Sequence, residues 1–338
     1  MNISSIFTFE NLYDAHKSSR LSKQHKKEII NFEINLSSNI YKLRKRLLNK
    51  TYKLGGYHSF YIYEPKERLI EALSYQDRVV IKCFCNVVLI PKLEPLLIND
   101  NVACRKEKGS LYGIKRLEKF LKREYLKENN NDVYFLKCDI KKYFPSIDHE
   151  ILISLLKKEN FSNDEMWFIE KLIKEQPNTT GKGLTLGNQS SQWFALYYLN
   201  KVDRLIKENL KIKGYVRYMD DMILIHPDKA YLQKCKKIIE LYCKKNLKLE
   251  LNQKTQIGKA SLGIDFLGFR HILTRSGKVV RKLRKSSKIR MKRHLKTLNK
   301  LYKKQIVDKP YVLMRKNSFY AHIMYSNEKN LMKYLHNK

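Results

Sequence analysis

The tetrapeptide Tyr218-Met219-Asp220-Asp221 sets two adjacent carboxylates between two β-type apolar runs. Tyr215-Val216-Arg217 leads into it and Met222-Ile223-Leu224-Ile225 leads out. Gly214 and Pro227 punctuate the outer ends, so the unit reads strand, tight turn, strand. Two negative charges side by side in an apolar hairpin are costly unless a cation sits on them. Magnesium, a hard ion that takes carboxylate oxygens and shares its shell with phosphates, suits such a turn. Asp-Asp is also ordinary turn chemistry, and the surrounding segments decide between the two readings.

Val133-Tyr134-Phe135-Leu136-Lys137-Cys138-Asp139-Ile140 is a β-rich run ending in a carboxylate, and it continues Lys141-Lys142-Tyr143-Phe144-Pro145-Ser146-Ile147-Asp148. An isolated Asp139 would simply cap a strand. Beside the hairpin it completes a nest of three carboxylates, with the Ile140 carbonyl as a further metal ligand. Such a nest suits two-metal phosphoryl transfer: one ion activates a 3′-hydroxyl and the other holds a triphosphate.

The chain carries 69 Lys and Arg against 33 Asp and Glu, a formal charge of +36 over 338 residues. That excess points to a polyanionic partner, most simply nucleic acid. From Arg275 to Lys304 there are 14 basic residues and no acidic one, interleaved with Val279, Leu283, Ile289, Leu295, Leu298 and Leu301. The pattern predicts one or two basic amphipathic helices along a phosphate backbone, with Lys282, Arg284, Lys285, Arg290, Lys292 and Arg293 as contacts. No run approaches the apolar length of a bilayer span, and the polar start Met1-Asn2-Ile3-Ser4-Ser5 is not that of a signal peptide. Six scattered cysteines read as reduced thiols, so a cytoplasmic protein with no membrane partner is expected.

Residues 8–50 read as helical, with Ile29, Ile30, Phe32, Ile34, Ile40, Leu43 and Leu47 turned inward. Tyr57–Tyr63 alternates as a strand ended by Pro65. Residues 66–99 read as largely helical from Glu67, broken at Pro91 and Pro95. A helix is predicted over Leu111–Lys127, a strand over Val133–Asp139 and a helix from about Asp148. Asn178–Gly187 reads as loop. Asn188–Leu210 reads as one long helix packing through Ala195, Leu199, Val202 and Leu205/Ile206, followed by a helix at 228–246. Strands are expected near Lys248–Leu251 and over Ile264–Ile272. The arrangement is α+β, a central antiparallel sheet backed by helices.

Three segments in order resemble motifs A, B and C of reverse transcriptases: D-I-K-K-Y-F-P-S-I-D from Asp139, Gly187-Asn188-Gln189-Ser190-Ser191-Gln192, and Y-M-D-D from Tyr218. Ala103-Cys104-Arg105-Lys106-Glu107-Lys108-Gly109-Ser110 is similar to the fingers segment of the bacterial and group II intron-like branch. Leu251-Asn252-Gln253-Lys254-Thr255 resembles motif D, and Phe266-Leu267-Gly268-Phe269 the motif E primer grip. The resemblance implies a right-hand polymerase. Fingers would lie in 1–132, a connection in 150–186, palm in 133–149 and 187–258, primer grip in 259–275 and a short helical basic thumb in 276–338. It implies Asp139, Asp220 and Asp221 as catalytic, holding two Mg2+ ions, with Mn2+ as a substitute. Phe144 falls at the aromatic gate against a 2′-hydroxyl, although a phenylalanine after a strand also suits a core. Lys66, Arg68, Leu186, Gly187, Gln192 and Lys254 fall where the incoming nucleotide binds, Leu267 and Gly268 at the primer strand, and Arg105 on nucleic acid. A basic side chain among so many can equally be plain surface charge.

One departure narrows the branch. Most members place Gln before the motif B glycine and end Ser-Pro, whereas this chain has Leu186 there and ends Ser191-Gln192. That pattern resembles the enzymes of diversity-generating retroelements, which copy a template repeat with errors at adenines. The partners implied are an RNA template, a DNA or RNA primer, deoxynucleoside triphosphates and a small basic accessory protein. A retron enzyme would carry Val-Thr-Gly in its thumb, which is missing here, and a maturase would need more than residues 270–338 after the grip. Defence-related enzymes, and a binding protein with silent polymerase machinery, remain alternatives.

Overall fold

Apolar residues at helical spacing in the first fifty positions build four helices, Ile3–Ile6, Phe9–Arg20, Lys27–Ile34 and Leu36–Leu48. Ile29, Phe32, Ile40, Leu43 and Leu47 are buried as expected, but Ile30 and Ile34 point to solvent. The computed structural model describes residues 1–63, 66–128, 132–177 and 180–336. It divides into two units, one of Met1–Lys106, Ile140–Leu205 and Ile238–Asn252, the other of Glu107–Asp139, Ile206–Lys237 and Gln253–Lys338.

In the first unit, β1 (Tyr57–Ile62) pairs antiparallel with β2 (Arg68–Leu73), Tyr57 opposite Leu73 and Ile62 opposite Arg68. The helix expected from Glu67 starts only at Tyr75, where the Ser74 side chain accepts the Asp77 N–H. Residues 68–73 take the partner that β1 offers, a long-range choice that local periodicity does not reveal. The strand end expected at Pro65, and Asn178 and Thr179 of the expected loop, lie outside the described residues. Pro91 does not break the chain. The helix Tyr75–Phe84 runs through a π-turn at Cys85–Leu89 into Ile90–Leu93, and the wider turn makes room for a ring and a missing N–H. The long helix expected from Asn188 divides into Gln189–Tyr198, Asn200–Arg204 and a π-turn at Leu205–Asn209. Its inward residues Ala195, Leu199, Val202 and Ile206 are all fully buried.

The second unit holds β3 (Tyr134–Cys138), β4 (Gly214–Tyr218), β5 (Asp221–His226) and β6 (Gln256–Lys259) in one antiparallel sheet of order β4-β5-β3-β6. Helix Ser110–Glu128 lies against β4. A second sheet, order β7-β8-β9, is formed by β7 (Ile264–Phe266), β8 (Phe269–Leu273) and β9 (Val279–Leu283). The strand expected over Ile264–Ile272 is therefore a hairpin. Its turn residues Leu267 and Gly268 both have positive φ, +47 and +87, the signature of a type I′ turn. The strand expected near Lys248–Leu251 shrinks to one bridge, Leu251 with Ile140, and the ladder forms at β6 instead. The basic stretch begins as β9 and only then becomes helical, Lys285–Lys303, so Lys282 stands on a strand rather than a helix. Helices Lys309–Ile323 and Lys329–His336 follow. Ile114, Phe269, Leu283, Met291, Leu295 and Ile323 form the core beneath them. The fold is α+β with antiparallel sheets. Among the described residues no helix is long and apolar enough to cross a membrane.

Candidate active site

The β4–β5 hairpin closes with Tyr218 opposite Asp221, leaving Met219 and Asp220 as the two-residue turn. Met219 has φ +56, a left-handed conformation costing a non-glycine residue about 1 kcal/mol. Arg217, fully buried under the turn, donates from Nη1 to the Met219 carbonyl at 2.8 Å and holds that conformation. Register brings in the third carboxylate: Cys138 of β3 lies opposite Met222 of β5, so the next residue, Asp139, falls level with Asp221. Three aspartates from two distant segments thus fall at one end of two central strands.

Their charges oppose one another. Burial, then the charges of Asp139 and Asp221, push the Asp220 carboxyl up to about 6, against Arg217 and a backbone hydrogen bond. Asp221 is also raised, by burial first and by Asp139, against the pull of Lys137 and Arg284. Its Oδ1 is buried and accepts no aligned hydrogen bond. Among the described residues no three acidic, histidine or cysteine side chains converge in ion-holding geometry. The case for a cation rests on the charge instead: hard oxygen donors, mutually repelling and partly desolvated, fit a divalent ion.

Lys137, on β3, went unmarked in the sequence. Its ammonium lies 3.0 and 3.1 Å from the two Asp221 oxygens and 2.6 Å from the Asp265 carbonyl oxygen of β7. Only the register of β3 against β5, which a sequence does not display, could have marked it. Arg217 is likewise unremarkable until its burial is known.

At the other expected positions in this unit, Leu267 packs partly on the core and Gly268 approaches the His322 ring. The Arg284 N–H donates to the Gly268 carbonyl at 3.4 Å. Lys254 is exposed in the turn before β6, and Lys282, Lys285, Lys292 and Arg293 are exposed, while Arg290 is half-buried.

The remaining candidates belong to the first unit. Lys66 and Arg68 are exposed, Arg68 on β2 and Lys66 just before it. Gly187, at φ +117, could not take a side chain without strain, and a Cβ there would meet Ile70 at 3.5 Å. The Leu186 carbonyl beside it accepts the Glu71 N–H. Gln192 accepts a hydrogen bond from Cys104 Sγ at 3.5 Å. Phe144 is half-buried, edge-on to Tyr143, and Ile140 is buried. Arg105, expected on nucleic acid, donates from Nε to Glu94 and from Nη1 to the Ile98 and Asn101 carbonyls. Its guanidinium braces the unit's own loop.

The profile of the family described as reverse transcriptase (RNA-dependent DNA polymerase) matches residues 65–271. No curated protein matches the chain in sequence. Among solved structures it is similar to telomerase from Candida albicans in complex with a TWJ fragment of telomeric RNA. The identity is 13% and the TM-score 0.53, over 69% of this chain and 47% of that one. It is also similar to apo telomerase from Candida tropicalis lacking the C-terminal domain, at 17% identity and TM-score 0.52, over 67% and 55%. The chain thus spans about half the length of these structures, and at such identities the likeness shows the fold alone.

Proposed function

The chain belongs to the reverse transcriptase (RNA-dependent DNA polymerase) family, and from that membership we propose that it copies RNA into DNA at Asp139, Asp220 and Asp221 for a diversity-generating retroelement. The observation that carries the polymerase reading is the strand register that brings Asp139, Asp220 and Asp221 to one sheet end, with the Asp220 carboxyl pushed up to about 6. Two Mg2+ ions held by these aspartates and the Ile140 carbonyl would activate the primer 3′-hydroxyl and hold the triphosphate.

The chain's own residues do the rest. Buried Arg217 keeps the Met219–Asp220 turn in shape, so the carboxylates are presented without reorganisation. Lys66 and Arg68 are exposed cations suited to triphosphate oxygens, the arginine fork especially. Lys254 protonates the departing pyrophosphate. Phe144 excludes a 2′-hydroxyl, and Leu267 and Gly268 let backbone approach the primer. Gly187 and Gln192 flank the nascent pair, and the exposed cations Lys282, Lys285, Lys292 and Arg293 hold template–primer phosphates.

The retroelement reading rests on Leu186, whose side chain offers no hydrogen bond where most relatives have a glutamine, so geometric selection at the nascent pair is weaker. A small basic accessory protein and a structured RNA template complete the system. The test is deoxynucleotide incorporation on a primed RNA template with magnesium, every product sequenced, comparing wild type with Asp220→Asn/Asp221→Asn and Leu186→Gln. Expected are synthesis lost in the double variant and errors concentrated at template adenines, falling several-fold in Leu186→Gln. Faithful synthesis by the wild type would remove the retroelement and keep the polymerase. No synthesis, even with RNA and accessory protein supplied, would favour a binding protein.

A further inference from the structure

Lys137 precedes Asp139 by two residues on β3, and its side chain is largely buried. A lysine serving only solubility leaves its ammonium in water. This one is drawn inward onto three oxygens, both of Asp221 and the carbonyl of Asp265. One cation therefore joins a catalytic carboxylate to β7, the strand that leads into the Leu267-Gly268 turn. The other charged groups acting on Asp221 are Asp139 and its neighbour Asp220, of like sign, and Arg284. The backbone N–H of Arg284 donates to the Gly268 carbonyl of the same hairpin. Of the two cations that compensate Asp221, Lys137 is the one whose charged group itself touches the β7–β8 hairpin.

We propose that Lys137 is a positioning residue: it acts as the resident counter-ion of Asp221, ties that carboxylate to the β7–β8 hairpin, and yields it when a divalent cation enters. The inference rests on the polymerase reading. An ammonium 3.0 Å from a ligand oxygen repels an incoming dication, so Lys137 weakens ion binding at rest and suppresses occupation by stray metal. On release, the ammonium retains the Asp265 carbonyl, and the hairpin registers whether the site is loaded.

The first measurement is Mn2+ binding to the full chain without nucleic acid, followed by the paramagnetic resonance of free Mn2+. Lys137→Met keeps the side-chain length and removes the charge, and its Mn2+ dissociation constant should fall about tenfold. Lys137→Arg should stay within about twofold of wild type. Equal Mn2+ affinity in wild type and Lys137→Met overturns the proposal. Should that variant not fold, lysine acetylation of the wild type read by mass spectrometry decides. Lys137 should become more reactive as Mn2+ is added, and unchanged reactivity sinks the idea. Wild type binding Mn2+ no better than Asp220→Asn/Asp221→Asn would remove the polymerase site and this inference together. Metal binding and synthesis that persist with an indifferent Lys137 would remove the inference alone.

Discussion

Asp220 holds a carboxyl raised to about 6 by burial and by its two acidic neighbours, so its ionised form is under strain when no cation balances it. Function and stability therefore pull in opposite directions at this residue. Asp220→Asn should cut nucleotide incorporation by at least about a thousandfold, because an amide cannot replace an anionic metal ligand. In EDTA the same variant should unfold at a temperature equal to or above wild type, since one buried like charge is gone. A clear fall in that midpoint would show the aspartate to be a structural partner instead. Phe144 makes a separate prediction. Phe144→Ala should raise ribonucleotide incorporation relative to deoxynucleotide by about ten- to a hundredfold, read by primer extension with each nucleotide set. An unchanged ratio would return Phe144 to the core. The aspartates were legible in the sequence because adjacent carboxylates in an apolar hairpin are already an anomaly. Lys137 and Arg217 were not, because a lysine or arginine becomes informative only when register and burial reveal what it touches.

Among elements, helix His149–Leu156 depends on the residue that caps it, Asp148, more than its apolar content suggests. The Asp148 side chain accepts the Ile151 N–H and bonds the Lys248 ammonium at 2.8 Å. Burial works to raise its carboxyl, but the Lys248 and Ile151 hydrogen bonds and the charges of Lys248 and Lys182 overcome this and hold it below the usual range. A carboxyl depressed in the folded state stabilises above its unfolded value near 4, and that contribution is lost as pH falls through the lower folded value. Asp148→Ala should cost about 1–2 kcal/mol at neutral pH for the cap. The difference from wild type in urea unfolding should shrink between about pH 5 and pH 2. A difference independent of pH would mean the cap works without its charge. The same level explains which elements were readable. Periodicity found the helices Ser110–Glu128 and Lys229–Leu247 because their apolar stripes are long. It missed β2 because six residues carry little period, and their strand state is decided by β1 opposite. It read β7 and β8 as one strand because nothing local announces that Leu267 takes a positive φ beside Gly268.

At the scale of the molecule the governing quantity is charge, and its excess is not evenly spread. Many acidic side chains are already matched, Glu118 with Arg281, Glu170 with Lys157 and Lys174, and Glu328 with Lys288. The stretch 275–304 has no acid of its own. On helix Lys285–Lys303 the apolar Met291, Leu295 and Leu298 turn inward, which leaves Lys285 and Arg293 directed at solvent. Charges so placed stabilise little in the folded chain and stand free to meet a polyanion. If they lie on template–primer phosphates, each contact releases a counterion and contributes about 0.7–0.9 to the slope of log affinity against log salt. Lys285→Gln/Arg293→Gln should therefore weaken binding of a primed RNA template regardless of its sequence and lower that slope by about 1.4–1.8. Fluorescence anisotropy from about 50 to 200 mM salt resolves such a change, because the parent affinity should itself fall by orders of magnitude over that range. A weaker affinity with an unchanged slope would mean that the substitutions disturbed the helix rather than a phosphate contact. An unchanged affinity would move the nucleic-acid track off this helix altogether.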